Sequence, residues 1–286
     1  MKLYAISDLH LANPANREAL NTVSDHPRDW LILGGDVGET VEHMELCFRH
    51  LTGRFARLIW VPGNHELWTV PRTSACQRGQ AKYDSLVALC RSYGVLTPED
   101  PYPVWQGDGD PCVIAPLFVL YDYSFRPSRV PLERVLSWAE EKKIVCTDEI
   151  LLHPDPYPSR RAWCMARCAL TERRLARIPD HMQTVLINHF PMRRDLLRLR
   201  RIPRFAPWCG TTRSEDWHQR FRARVVVTGH LHVRGTAWRD GTRFEEVSLG
   251  YPRDWDQSQG MESYLREILP GEEGISRKDA KTQRGI

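Results

Sequence analysis

Apolar residues come in three short blocks in the first third of the chain, Lys2–Ser7, Trp30–Leu33 and Leu58–Val61. Each ends in a turn that contains Gly or Asp. Between the blocks, Asn16–Ser24 and Val41–Leu51 carry apolar positions at helical spacing. Short apolar runs alternating with helical stretches predict a sheet covered by helices. Lys82–Tyr93 predicts a further helix, with Leu86, Leu89 and Cys90 on its apolar side. From Pro98 to Pro131 the chain is rich in Pro, Gly and aromatics, with strand-like runs at Val104–Gln106 and Val113–Leu120. Leu132–Lys143 and Ser159–Arg177 then predict helices, and Thr184–Asn188 and Arg224–Thr228 predict strands. Thr236–Asp240 and Thr242–Leu249 predict a hairpin turning at Asp240-Gly241. Gly271–Ile286 is polar and aperiodic and predicts a loose tail. With no internal repeat and no linker, the pattern predicts one α/β domain over residues 1–270 and a flexible tail over 271–286.

Composition narrows the class. The chain has 286 residues, 42% hydrophobic and 27% charged, which is globular usage rather than that of a disordered or fibrous chain. No stretch approaches the ~20 apolar residues of a membrane span. The short apolar run at Lys2–Ile6 meets Asp8 at once, unlike a secretory signal. A soluble, cytoplasmic protein with no membrane partner is expected. The eight cysteines, at 47, 76, 90, 112, 146, 164, 168 and 209, contain no CxxC pair and read as reduced, mostly buried thiols. Cys164 and Cys168, one helical turn apart, are expected to share a core face rather than a metal.

Charge is unevenly spread. Between Tyr157 and Arg204 stand twelve arginines and three acids, a net +9 in a chain whose total is +4. Solvated helix faces account for such a stretch; so does a docking surface for an acidic partner.

Five motifs follow expected strands: Asp8-Leu9-His10, Gly34-Gly35-Asp36, Gly63-Asn64-His65-Glu66, Asn188-His189 and Gly229-His230-Leu231-His232. The C-terminal edge of strands in an open α/β sheet is where ligands bind. One Asp or His after a strand is an ordinary turn residue; five such motifs are not explained that way. Carboxylate, imidazole and amide donors suit hard or borderline divalent ions. Asp8, His10, Asp36, Asn64, His189, His230 and His232 are therefore candidate ligands of a two-ion cage. Strand alternation would aim Asp8 and His10 to one side, and His230 and His232 to one cluster. The thiols are not placed with these motifs, which argues against a structural Cys-type zinc site.

The ordered set DLH, GGD, GNHE, NH and GHLH resembles the calcineurin-like metallophosphoesterase superfamily. The resemblance implies a four-layer αββα sandwich with a dinuclear site on its edge. It also implies roles: Asp8, His10 and His232 on one ion, Asn64, His189 and His230 on the other, Asp36 bridging both, and His65 beside the scissile phosphate without binding metal. Asp36 and His65 would be the catalytic pair. Such ions lower the pKa of a water and neutralise phosphate oxygens, and His65 would donate a proton to the leaving group. Purple acid phosphatases carry a tyrosine three residues after the bridging Asp; here that residue is Glu39, so their iron(III) site is not expected. Mn²⁺, Fe and Zn²⁺ all suit the donors. Glu39 and Glu66 are expected beside the ligands or at helix starts, not on the ions.

Further stretches, among them Leu120-Tyr-Asp-Tyr-Ser-Phe125, Thr147-Asp-Glu149, Trp208-Cys-Gly-Thr-Thr212 and Arg243–Trp255, are similar to the phosphopantetheinyl hydrolases of mycobacteria and related bacteria. That likeness implies a phosphodiesterase that removes 4′-phosphopantetheine from acyl carrier protein. Carrier proteins are acidic, and the Arg-rich stretch flanks His189. Tyr121, Tyr123, Trp208 and Tyr251 are candidates to line a groove for the arm, with core packing as the other reading. Arg193 and Arg194 are candidates to contact the carrier. A small-molecule phosphodiesterase acting on cyclic nucleotides is the alternative. A nuclease lacks a stacking-aromatic motif, and a metal-free scaffold would not need the full ligand set.

Overall fold

The computed structural model describes residues 1–70 and 77–271. The expected tail beyond Gly271, and Cys76, lie outside them. Two sheets form the centre. The first has the order β10-β1-β2-β3, from β1 (Leu3–Ile6), β2 (His26–Leu33), β3 (Phe55–Trp60) and β10 (Arg266–Leu269). The second has the order β4-β5-β6-β7-β9-β8, from β4 (Val104–Trp105), β5 (Cys112–Pro116), β6 (Gln183–Ile187), β7 (Ala223–Thr228), β8 (Gly235–Arg239) and β9 (Thr242–Glu246). β1, β2 and β3 run parallel, as do β5, β6, β7 and β9; β10 pairs antiparallel at one edge of the first sheet, and β4 and β8 at both edges of the second.

Residues two apart on each inner strand meet between the sheets. Leu3 and Ala5, Trp30 and Ile32, Val185 and Ile187, and Val225 and Val227 belong to one buried cluster with Ile59, Ile114 and Ile268. The alternate residues, such as Leu31, Leu33, Leu58, Trp60, Val113, Leu186 and Val226, join a second core outside the sheets. Strands buried on both faces read as unbroken apolar runs, as the sequence pattern did. The helices α2 (Val41–Leu51), α4 (Gly79–Ser92) and α7 (Arg160–Leu175) cover the outer faces through Phe48, Tyr83, Leu86, Trp163 and Cys168. The architecture is an αββα sandwich. Shorter helices α1 (Pro14–Ala19), α3 (Asn64–Leu67), α5 (Val135–Glu140), α6 (Asp148–Leu151) and α8 (Trp217–Arg220) lie in the connections.

Several boundaries differ from expectation for physical reasons. The helix expected over Asn16–Ser24 is α1 followed by a 3₁₀ turn at Leu20–Thr22. The strand expected over Val113–Leu120 ends at Pro116; Leu117 still donates to the Ile187 carbonyl at 2.8 Å, and the buried chain then leaves the ladder. The helix expected over Leu132–Lys143 opens as a 3₁₀ turn and ends at Glu140. The hairpin turns at Asp240-Gly241 with φ of 51° and 78°, the left-handed pair its tight turn requires. β9 stops at Glu246, after which Ser248 bridges to Ser7. That bridge links the two sheets where Asp8 emerges.

Candidate metal centre

Every motif leaves the C-terminal end of a parallel strand: Asp8 after β1, Asp36 after β2, Asn64 and His65 after β3, His189 after β6, and His230 and His232 after β7. The aiming device is not the strand alternation expected above. Asp8, His10, Asp36, His230 and His232 have φ of 54°, 42°, 52°, 72° and 51°. Only a few per cent of non-glycine residues adopt φ > 0, and strain of this kind gathers at functional sites. Left-handed turns just beyond the sheet swing these side chains back over its edge.

Three clusters of donor atoms result, each with its atoms within 4.8 Å of one another: Asp8, His10 and His232; Asp36, His189 and His230; and His10, Asp36 and His65. Asp36 belongs to two of them and lies between the others. His10 Nε2 and His232 Nε2 stand 3.0 Å apart, and His232 Nε2 lies 3.2 Å from Asp8 Oδ1. His189 Nε2 lies 3.3 Å and His65 Nε2 3.8 Å from Asp36 Oδ2.

Neighbours fix each donor. Asp8 accepts from Ser7 Oγ at 2.6 Å and Ser248 Oγ at 2.7 Å. His189 donates Nδ1–H to the Gly34 carbonyl at 2.9 Å, which leaves Nε2 as the donor atom. His232 Nδ1 faces Asp254 at 3.2 Å. Asn64 donates its amide to Asp148 Oδ1 at 3.0 Å, so Asn64 Oδ1 turns the other way, and Trp68 donates to the same oxygen at 2.7 Å. Such outer partners set tautomer and orientation. Glu66 does something else: its carboxylate accepts from the backbone of Asp36, Val37 and Gly63 at 2.7–2.9 Å, pinning two motif loops together. Gly63 is required there, because a Cβ would stand 2.0 Å from Asp36 Oδ1.

The residues fit divalent ions. Asn64 Oδ1 and His230 Nε2 are buried without hydrogen-bonding partners, and His189 Nε2 faces Asp36 Oδ2 at 3.3 Å. A buried unpaired polar atom costs about 1–3 kcal/mol, and a cation is what lone pairs of this kind satisfy. The charges agree. Burial pushes the carboxyls of Asp8 and Asp36 up, but surrounding histidines outweigh it and hold both well below the usual carboxylate range. Burial pushes His189 down, yet Asp36 and Asp8 lift it to about 10. His232, depressed by burial, is lifted by Asp8 and Asp254 to about 9. Burial takes His10 down to about 4 and, with His189, His230 down to about 3. The metal-free centre thus holds two protonated imidazoles against two buried carboxylates, where ions would supply the positive charge. His65 is pushed down by burial but raised overall by Asp36 and by Glu39, whose carboxylate faces its Nδ1 at 3.4 Å.

The centre opens into a cleft of about 920 Å³, lined by Asp36, Asn64, His65, Trp68, Val145–Asp148, Arg198–Ile202, Phe205, His230–Val233 and Tyr251–Asp254 apart from Pro252. Tyr251 stacks on His10 with centroids 4.4 Å apart. Tyr123, Trp208, Arg193 and Arg194 are not in this lining. Tyr123 Oη and Trp208 Nε1 both donate to Glu149, at 2.9 and 2.7 Å, and Glu149 pairs with Arg160 at 2.7 Å. Tyr121 is fully buried. Arg193 pairs with Asp195 and Asp240, and the Arg194 backbone donates to Glu215. Sequence reasoning missed Asp148, Asp254 and Ser248. All three stand in stretches already marked as distinctive, Asp148 in Thr147–Glu149 and the other two in Arg243–Trp255, but their roles beside the ligands are not marked there.

A family model of calcineurin-like phosphoesterases matches residues 1–234. The [acyl-carrier-protein] phosphodiesterase PptH of Mycobacterium tuberculosis is 47% identical over 270 residues, 94% of this chain and 83% of that protein. The crystal structure of the phosphopantetheinyl hydrolase PptH from Mycobacterium tuberculosis superposes with a TM-score of 0.91 at 46% identity, over 96% of this chain and 98% of that one. The chain belongs to the calcineurin-like phosphoesterase family, and its activity is the metal-dependent hydrolysis of a phosphoric ester.

Proposed function

We propose that this enzyme hydrolyses the phosphodiester joining 4′-phosphopantetheine to a serine of acyl carrier protein. The observation that carries the reading is the 47% identity to a phosphodiesterase of that substrate over nearly the whole chain. A cleft of about 920 Å³ above the centre has room for an extended arm. Asp8, His10 and His232 would hold one ion, and Asn64, His189 and His230 the other, with Asp36 between them. Mn²⁺ or Fe suits these nitrogen and oxygen donors, as does Zn²⁺. When bound, the ions supply a water of lowered pKa and positive charge against the phosphate oxygens.

The chain's own residues do the rest. Asp36 sets the spacing of the two halves, held by the His65 backbone N–H at 2.9 Å and by the loops that Glu66 ties. His65 stands at the cleft wall, packed on Trp68 with ring centroids 3.7 Å apart, and its protonated form is supported by Glu39. It would contact the phosphate and pass its Nε2 proton to the departing serine oxygen. The setting is cytoplasmic, in keeping with seven free, buried cysteines among the described residues and no helix there long and apolar enough to cross a membrane. With Mn²⁺ and holo-acyl carrier protein, the intact-mass spectrum should shift to that of apo-carrier. An unchanged carrier under conditions where a chromogenic diester is cleaved contradicts the reading.

A further inference from the structure

Once the side chains of the Arg-rich stretch are placed, Arg161, Arg173, Arg177 and Arg194 are exposed away from the cleft lining, and the other eight arginines fall into two groups. Arg160, Arg167, Arg174, Arg193 and Arg204 are engaged inside the fold. Arg167 is buried against Glu99 and the rings of Tyr83 and Phe118. Arg174 binds the Pro98 and Asp100 carbonyls. Arg198, Arg200 and Arg201 differ: they are exposed, line the mouth of the cleft, and form no ion pair with an acid among the described residues.

The same mouth carries exposed aliphatic groups. Val145 is 65% and Ile202 41% exposed, and both line the cleft. The two walls they stand on are braced to each other. Arg204, two residues past Ile202, binds the Trp138 carbonyl, pairs with Glu141 at 2.8 Å and lies over the Trp138 ring at 4.7 Å. Charged and apolar groups are therefore presented together on a preformed rim. Exposed apolar side chains rimmed by charge mark interaction sites. Arginine suits carboxylates through its planar fork. Aliphatic valine and isoleucine offer no flat face for a nucleic-acid base.

We propose that Arg198, Arg200, Arg201, Val145 and Ile202 form a docking surface for an acidic, amphipathic helix of the carrier protein whose arm enters the cleft. The inference rests on the carrier reading above and adds where the protein part of the substrate is gripped. Arg193 and Arg194, expected in this role from sequence, lie outside the cleft lining.

The test compares two substrates in the Mn²⁺-loaded enzyme: holo-acyl carrier protein and bis(p-nitrophenyl) phosphate. The variants are Arg198→Glu/Arg200→Glu/Arg201→Glu and, separately, Val145→Ser/Ile202→Ser. Each should raise KM for the carrier at least about tenfold and by at least about fivefold more than it raises KM for the diester, and added salt should raise the wild-type KM for the carrier more than for the diester. Equal losses on both substrates, or no change on the carrier, overturn the docking surface. A single-stranded oligonucleotide that blocks carrier cleavage while apo-carrier does not would assign the rim to nucleic acid and overturn it too. Failure of the wild-type enzyme to cleave the carrier is a separate result and refutes the carrier reading itself.

Discussion

Asn64 donates its amide to Asp148 across 84 residues of chain, at 3.0 Å, which leaves its buried carbonyl oxygen without a hydrogen-bonding partner. The carboxylate can only accept, so it fixes which way the amide points. Asp148→Asn removes that constraint without changing size. Manganese content measured after gel filtration should fall from two ions toward one per chain, and kcat/KM should fall by about 10–100-fold, the usual effect of losing an outer partner of a ligand. Two retained ions with unchanged activity would show that Asp148 does not orient Asn64.

Asp36 stands in two of the three donor clusters. Asp36→Asn should lower turnover of any phosphodiester by at least about 10³-fold, corresponding to roughly 4 kcal/mol of lost transition-state stabilisation. Circular dichroism should show an intact fold, because Glu66 still ties the loops and the replacement amide oxygen can still accept from the His65 N–H. Activity within tenfold of wild type contradicts the proposed placement of the ions.

Metal uptake should release protons. His189 and His232, lifted to about 10 and about 9 in the metal-free protein, are protonated at neutral pH and must lose those protons to ligate. Calorimetry in buffers of different ionisation enthalpy should report about two protons released as the centre fills near pH 7. The sign follows: apparent affinity increases with pH until both histidines are already neutral. A titration without proton release contradicts the two-imidazolium description.

Glu39 supports the protonated form of His65. If His65 acts as the acid, activity is lost as pH rises through its pKa. Glu39→Gln withdraws a negative charge, so the basic limb of the pH–rate profile should move to lower pH while manganese content stays at two. An unmoved limb would separate Glu39 from the proton donor.

Glu66 is buried with both oxygens receiving backbone N–H groups, though burial and nearby Asp36 push its carboxyl to about 7. Glu66→Ala strands those donors and should cost about 3 kcal/mol or more, a fall of roughly 6–12 °C in Tm for a chain of this size. The loss should be present in metal-free protein. A loss confined to the metal-loaded form would make Glu66 part of the ion site instead.

The α/β rhythm and the five motifs could be read directly because strands buried on both faces leave continuous apolar runs, and residues at their ends share one edge. The turns that aim the side chains were not readable: φ > 0 at Asp8 or His232 is imposed by the surrounding fold, not by residue type. Ser248 and Asp254 reach Asp8 and His232 from far along the chain, and the Arg243–Trp255 stretch that holds them does not show which of its side chains face those ligands. Tyr123 and Trp208 follow the packing reading rather than the groove reading. Their aromatic character suggested a groove, whereas Glu149 binds the polar atom of each within the fold. β10, a short edge strand with two charged residues, was not visible as a strand until Leu3 and Ala5 paired with it.

The central claim is direct hydrolysis of a carrier-borne diester at a two-ion centre. Reaction of holo-acyl carrier protein with the Mn²⁺-loaded enzyme in ¹⁸O-labelled water, followed by mass spectrometry of both products, tests it most directly. The prediction is an apo-carrier with unlabelled serine and a released phosphopantetheine with one ¹⁸O on phosphorus. Label on the serine, or an intact carrier while a chromogenic diester is consumed, would contradict it.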